Sequence, residues 1–333
     1  MTAPATTPQT ESKQPTLIDM LRNIITSQEG VLFIIMVIAV LFLATRTDKF
    51  LTVDNLLNQG RLLTEVGLVA VPMTFIIITG GIDLSVGSIF GLTAIVLGIA
   101  WQDMGMALPV AIVFAILVGT FAGFMNGRFI VKVGVPPLIM TLATLALYRG
   151  LAQGLSEGAS VRGYPDWFYE LGQGEFLGVP SQLWLLLIAV IIAGILLSRT
   201  TLGRTLYAIG NNEVAARFSG LQVNRYLLFI YTFSGFMSAL AGYIFVSRVS
   251  TTRSDMGTGL ELDVIAAVVL GGSSIFGGTG SIPGTIIGVV LIQLLKNGLS
   301  LTGVTGDATI VVIGSVLIFA ILVNTFIQGR KAA

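Results

Sequence analysis

An all-α polytopic transmembrane helix bundle of about ten spans is the fold class the sequence predicts, since each crossing of a bilayer core takes about 20 mostly apolar residues. Three observations carry this. Hydrophobic residues fill 54% of the 333 positions and charged residues only 11%, against roughly a quarter charged in a soluble domain. The apolar residues gather into long runs divided by short polar stretches, the pattern of successive membrane helices. Gly-interrupted segments recur in the two halves of the chain, at Gly80 and Gly81 and again at Gly271 and Gly272.

The remaining composition excludes much. The 18 basic and 17 acidic residues nearly cancel, which leaves no basic face for nucleic acid. With no cysteine and no histidine, disulfides, thiolate nucleophiles and the commonest metal ligand are all missing. No catalytic residue, cofactor site or metal site is expected.

Residues 1–29 read as a cytoplasmic N-terminal segment. It is polar through Thr16, and Leu17, Ile18, Leu21, Ile24 and Ile25 then fall at helical spacing; a helix on the membrane surface and a helix docked on neighbouring spans both fit. The first apolar run starts at Val31, after Lys13, Arg22 and Glu29, unlike a cleavable signal peptide. Spans are expected over 30–45, 62–79, 86–101, 107–125, 136–154, 183–198, 226–246, 261–276, 282–300 and 308–327. Arg128 and Lys132 share one loop, Arg199, Arg204, Arg217 and Arg225 another, and Arg330 and Lys331 a tail over 328–333. The positive-inside rule then places both termini in the cytoplasm. The acidic 155–182 loop falls outside, and so, against the rule, do Arg46 and Lys49.

Two polar interruptions raise the question of function. TGGIDLSVGS, Thr79–Ser88, pairs Gly80 and Gly81 with a GSI at Gly87–Ile89; Gly271 and Gly272 precede a GSI at Gly280–Ile282. Matched glycine interruptions in the halves of a transporter mark broken helices lining a pathway, because unwound backbone at membrane depth must be covered by protein or face a water-filled cavity. The pathway candidates are Gly80, Gly81, Asp83 and Ser85, with Gly271, Gly272, Ser273, Ser274, Gly277 and Gly278. Asp83 or Ser85 is expected to cap the helix that follows. A plain cytoplasmic turn fits the same residues.

The 199–225 loop is too polar for the membrane. Within it GNNEVAARFSG reads as a helix starting near Asn211 or Asn212, with Glu213 where the helix dipole favours an anion, and ending at Gly220. Such a helix suits docking to a soluble partner. No GxxxxGK[ST] loop occurs, so any ATP drive comes from another polypeptide. Glu65, Asp83, Glu261 and Asp263 fall within or near spans, beside Arg149 and Lys296. A centred charge costs about 2.5–3.5 kcal/mol, so Lys296 and Arg149 are expected to snorkel to the surface, and Glu261 and Asp263 to flank an outer mouth in water.

GGIDLSVGS, LGRTLYAIGNNEVAARFSGL, ELDVIAAVVLGGSSIFGGTGSIPGTIIG, NGRFIVKVGVPPLIMTLATLALYRGLAQGL and FLTVDNLLNQG together resemble the permease subunit of ribose-type ABC sugar importers, in the family's order from about residue 17 to 325. The resemblance implies a permease domain over 30–327 in a bacterial inner membrane. It implies that Gly203, Arg204, Gly210, Asn211, Asn212, Glu213, Ala216, Arg217 and Gly220 belong to a coupling loop that contacts a cytoplasmic ATPase subunit. It further implies a second permease, copy or paralogue, and a periplasmic sugar-binding protein. The substrate class is then a pentose, deoxyhexose or similar sugar. Where the family shows GGN this chain has Gly210, Asn211, Asn212, and RSDMGTGLELDVI, Arg253–Ile265, is closer to the rhamnose and autoinducer-2 branches than to ribose. The rival is a proton-coupled sugar transporter using Glu65, Asp83, Glu261 or Asp263; it leaves the ordered loop unexplained.

Overall fold

The computed structural model describes residues 28–306, 308–315 and 318. The amphipathic segment after Thr16, the tail over 328–333 and most of the span expected over 308–327 lie outside the described residues. The chain runs α1 (Gln28–Ala44), α2 (Val53–Ile78), α3 (Val86–Gln102), α4 (Leu108–Val133), α5 (Pro137–Ser156), α6 (Asp166–Tyr169), the strands β1 (Glu175–Phe176) and β2 (Val179–Pro180), α7 (Ser181–Arg199), α8 (Thr201–Asn211), α9 (Glu213–Phe218), α10 (Val223–Val249), α11 (Leu260–Leu270) and α12 (Ile282–Leu301). Helix dominates because apolar segments in lipid must satisfy their own backbone groups.

Six of the described helices, α2, α4, α5, α7, α10 and α12, are long and apolar enough to cross a membrane. The polytopic bundle therefore stands, while the count of about ten is not confirmed among the described residues. Helices α1 and α3 are shorter, at 17 residues each, and α11 stops after 11, at Leu270 instead of 276. Other bounds moved outward for local reasons. Thr52 has extended backbone and its hydroxyl accepts the Asn55 N–H at 3.4 Å, so α2 starts nine residues before the expected 62. Arg128 and Lys132, expected in a loop, continue α4 until Gly134 turns left-handed.

Over their most apolar stretches α2 is 78% and α10 56% buried, but α5 and α7 only 22%. The first two make the centre, and α5 and α7 turn most of their side chains outward from the bundle. Helix α10 runs the length of the bundle, from α9 at one end to the 157–180 segment at the other, where Gly172 N–H donates to Ser247 Oγ at 2.9 Å.

Candidate functional site

At the first end the loop between α7 and α10 folds into two helices. The carbonyl side chain of Asn212 accepts the Ala215 N–H at 2.9 Å and caps α9, as the sequence suggests. Glu213 stands in the first turn and pairs with Arg217 at 2.6 Å. Ala216 is buried against Ile209 and Val223, while Val214 and Phe218 are 62% and 89% exposed. The preceding segment, placed by the sequence only in the polar 199–225 loop, is the amphipathic α8: Gly203, Thr205, Leu206 and Ile209 are buried and Arg204 is exposed. The spacing of Leu202, Leu206 and Ile209 was the available signal.

Helix α8 packs directly against both glycine interruptions. A side chain on Gly210 would collide with the Ile78 carbonyl and stand 2.5 Å from the Gly278 nitrogen. One on Gly277 would come within 3.0 Å of the Gly80 nitrogen and 2.9 Å of the Gly210 carbonyl. Gly278 N–H donates to Ile78 O at 2.9 Å, and Tyr207 OH to Gly280 O at 2.7 Å. Three segments distant in sequence thus meet backbone to backbone, and only residues without side chains let them do so.

The first interruption, 79–85, is built around a carboxylate. Asp83 Oδ1 accepts from the Ser85 N–H at 3.0 Å and the Ser85 hydroxyl at 2.6 Å, and Oδ2 from the Ser234 hydroxyl at 2.9 Å. Asn126 Nδ2 donates to Ser85 Oγ at 2.8 Å, and Tyr148 OH to Asn126 Oδ1 at 3.3 Å. All are buried. Of the two expected caps Ser85 is corrected: it precedes α3 with helical backbone and makes no side-chain cap, whereas Asp83 Oδ1 accepts the backbone N–H two residues on, the kind of bond a capping aspartate makes. The Ser85 hydroxyl is committed to Asp83. Ser234, Asn126 and Tyr148 were missed, being single polar residues inside apolar runs of other helices with no local pattern to mark them.

The second interruption, 271–281, is built from backbone. A side chain on Gly271 would meet the Gly284 carbonyl and, at 2.7 Å, the Thr285 nitrogen; one on Gly288 would meet the Ala267 carbonyl. Gly272 adopts φ +96°. Ser273 N–H donates to Val268 O at 3.2 Å and Ser274 N–H to Thr279 O at 3.1 Å, so the unwound backbone is satisfied internally.

At the opposite end lies a cavity of about 440 Å³, lined by Glu65, Phe90, Phe245, Arg253, Asp255 and Asp263 among others. None of the ten pathway candidates lines it. Glu65 pairs with Arg248 at 2.6 Å, Asp263 with Lys296 at 2.5 Å, and Asp255 with Arg253. Two expectations change. Lys296 does not snorkel but neutralises Asp263, and Arg149 turns inward, its Nη1 donating to Ser254 O at 2.9 Å and Met256 O at 2.6 Å, which shapes the turn over the cavity. Both find partners on neighbouring elements, which a charge buried at this depth requires. Among the described residues no group of side chains could hold a metal ion.

Residues 55–321 match a family described as branched-chain amino acid transport system / permease component. The chain is 42% identical to the ribose import permease protein RbsC of Bacillus subtilis, over 88% of this chain and 91% of that protein. It is 37% identical to RbsC of Haemophilus influenzae, over 90% and 94%. The autoinducer 2 import system permease protein LsrD of Salmonella paratyphi A is 35% identical, over 89% and 91%. No solved structure matches. A multi-pass helical bundle with this breadth of likeness belongs to that family of transport permeases, and within it to the ribose-type sugar-import permeases.

Proposed function

We propose that the chain is the permease subunit of an ATP-driven ABC importer that carries a small sugar across the bacterial inner membrane, with both termini cytoplasmic. The observation that carries this reading is the junction at Gly210, where the last turn of α8, just before the capped α9, touches the backbone of both interruptions at once. A cytoplasmic ATPase seated on α9 through Val214 and Phe218 would move α8. That motion reaches Ile78 and Gly278 without passing through flexible side chains. The pathway candidates then act as the inner closure, and the cavity at the far end receives sugar from a periplasmic binding protein. A second permease, copy or paralogue, completes the route.

The pairing of Glu65 and Asp263 with cations, and the three donors on Asp83, favour an external energy source over a proton relay through these groups. The relatives' names point to ribose or autoinducer-2 as sugars to try.

Proteoliposomes holding the permease and its ATPase should accumulate sugar on ATP addition and stop with vanadate. Uptake abolished by a protonophore and indifferent to vanadate would overturn the reading. Glu213→Lys sets a cation at the N-terminus of α9, unfavourable by about 0.3–1 kcal/mol; it should weaken ATPase recovery in a pull-down while leaving membrane insertion intact. Normal recovery with normal uptake would remove α9 from the interface.

A further inference from the structure

The β1–β2 hairpin just before α7 has a tip that fits poorly in water. Its register pairs Phe176 with Val179 and Glu175 with Pro180, so Leu177 and Gly178 alone form the turn, and both have positive φ, 56° and 73°. Two left-handed central residues make a turn that asparagine followed by glycine suits best. A leucine pays a steric penalty there, and this one is 77% exposed beside a Phe176 that is 61% exposed. A turn facing water gains nothing from an apolar side chain in a strained position.

The surroundings show what covers it. Trp184, in the first turn of α7, donates its indole N–H to the Phe176 carbonyl at 3.1 Å, and the two rings meet edge to face with centroids 6.1 Å apart. Trp184 begins a helical stripe that continues through Ile188, Ile191 and Ile195, each more than half exposed, the lipid-facing side of a membrane-crossing helix. At 1.5 Å per residue the 19 residues of α7 span about 28 Å, close to the ~30 Å hydrocarbon core. The first turn of α7 therefore sits at the bilayer boundary, where tryptophan is enriched, and the hairpin tip continues the lipid-facing stripe upward.

We propose that Phe176 and Leu177 insert into the bilayer interface and anchor the 157–180 segment to lipid. The anchor has a mechanical consequence. Arg61 pairs with Glu175 at 2.8 Å, and Gln173 donates to Arg248 O and Ser250 Oγ, both at 2.9 Å. The hairpin is thus tied to α2 and to the end of α10, two walls of the cavity. The partner is a lipid surface, and the proposal does not depend on the transported substrate.

The chain has no cysteine, so a single nitroxide can be placed on Leu177→Cys, with Glu157→Cys in the same segment as a reference in water and Ile191→Cys as a reference in lipid. In phosphatidylcholine vesicles with no other protein present, the label at 177 should favour oxygen over a water-soluble nickel chelate several-fold more than the label at 157, approaching that at 191. Phe176→Cys gives the same readout should the 177 variant fold poorly. Nickel access at both tip positions equal to that at 157 overturns the anchor. Access that falls only when a soluble sugar-binding protein is added also overturns it, and would make the tip a protein-docking point.

Discussion

The two glycine interruptions share a Gly-Gly pair, a following GSI and a place beside Gly210, yet different forces hold them. The 79–85 interruption is organised by side chains: Asp83 gathers Ser85 and Ser234, and Asn126 and Tyr148 extend the network across other helices. The 271–281 interruption is organised by backbone contact, with Gly271 and Gly288 against carbonyls and Gly272 in the left-handed region. The sequence echo therefore records a shared need to leave the helix and not a shared chemistry. A side-chain hub can absorb substitution by repacking; a backbone contact cannot.

The sharpest test is one methyl group in each. Gly271→Ala drives a Cβ into the Gly284 carbonyl, and overpacking costs typically 1–3 kcal/mol, more where backbone must shift. Gly81→Ala meets the Tyr231 hydroxyl at 2.6 Å and Ile76 Cγ2 at 3.2 Å, with backbone no nearer than the Ile76 carbonyl at 3.4 Å, so the closest clash falls on side-chain ends. Thermal unfolding in detergent should show the larger loss at Gly271. Equal losses would erase the distinction between the two interruptions.

A graded series separates space from backbone conformation within the same comparison. At Gly272, with φ +96°, alanine should already show most of the loss, about 1–2 kcal/mol for an L-residue held left-handed, and leucine should add little. At Gly81, where the limit is volume, alanine should lose less and leucine much more. Uptake and unfolding measured for alanine and leucine at both positions decide the matter, and parallel profiles would refute it.

Much of this was legible in the sequence, and the limits have physical causes. The interruptions showed because glycine pairs within apolar runs are conspicuous, and α9 showed because Asn212, Glu213 and Gly220 are start and stop signals. The meeting of Gly210 with Ile78 and Gly278 was not legible, since no local pattern encodes which glycine faces which. Nor was the cavity: Glu65, Arg248, Asp263 and Lys296 lie on four helices, and their pairing rests on how those helices cross. Arg149 misled because snorkelling is the default for an isolated arginine, and its carbonyl partners sit 62, 105 and 107 residues away in sequence. The role of Ser85 misled because a serine before a helix usually caps it, whereas here Asp83, two residues earlier, claims the hydroxyl.

The smallest effect is expected where the carboxylate hub keeps its shape and loses only its charge. In Asp83→Asn the remaining carbonyl oxygen can stay on the Ser85 N–H and hydroxyl, and the new amide faces Ser234. A serine hydroxyl both donates and accepts, so Ser234 can rotate and receive one amide hydrogen and all three contacts are kept at a net cost of about 1 kcal/mol, with only the second amide hydrogen and the Ser234 proton losing the carboxylate as acceptor. Asp83→Leu has similar volume but strands the Ser85 N–H and the Ser85 and Ser234 hydroxyls, each worth roughly 1–3 kcal/mol when buried without a partner. Uptake and melting temperature should thus rank wild type, then asparagine a little lower, then leucine far below, because hydrogen-bond geometry is what this interruption requires. If asparagine were as damaging as leucine to uptake while the fold survived, the charge itself would be the functional element. A further loss of dependence on an imposed pH gradient in that variant would move the carboxylate from scaffold to proton carrier, and the two interruptions would then differ in function as well as in construction.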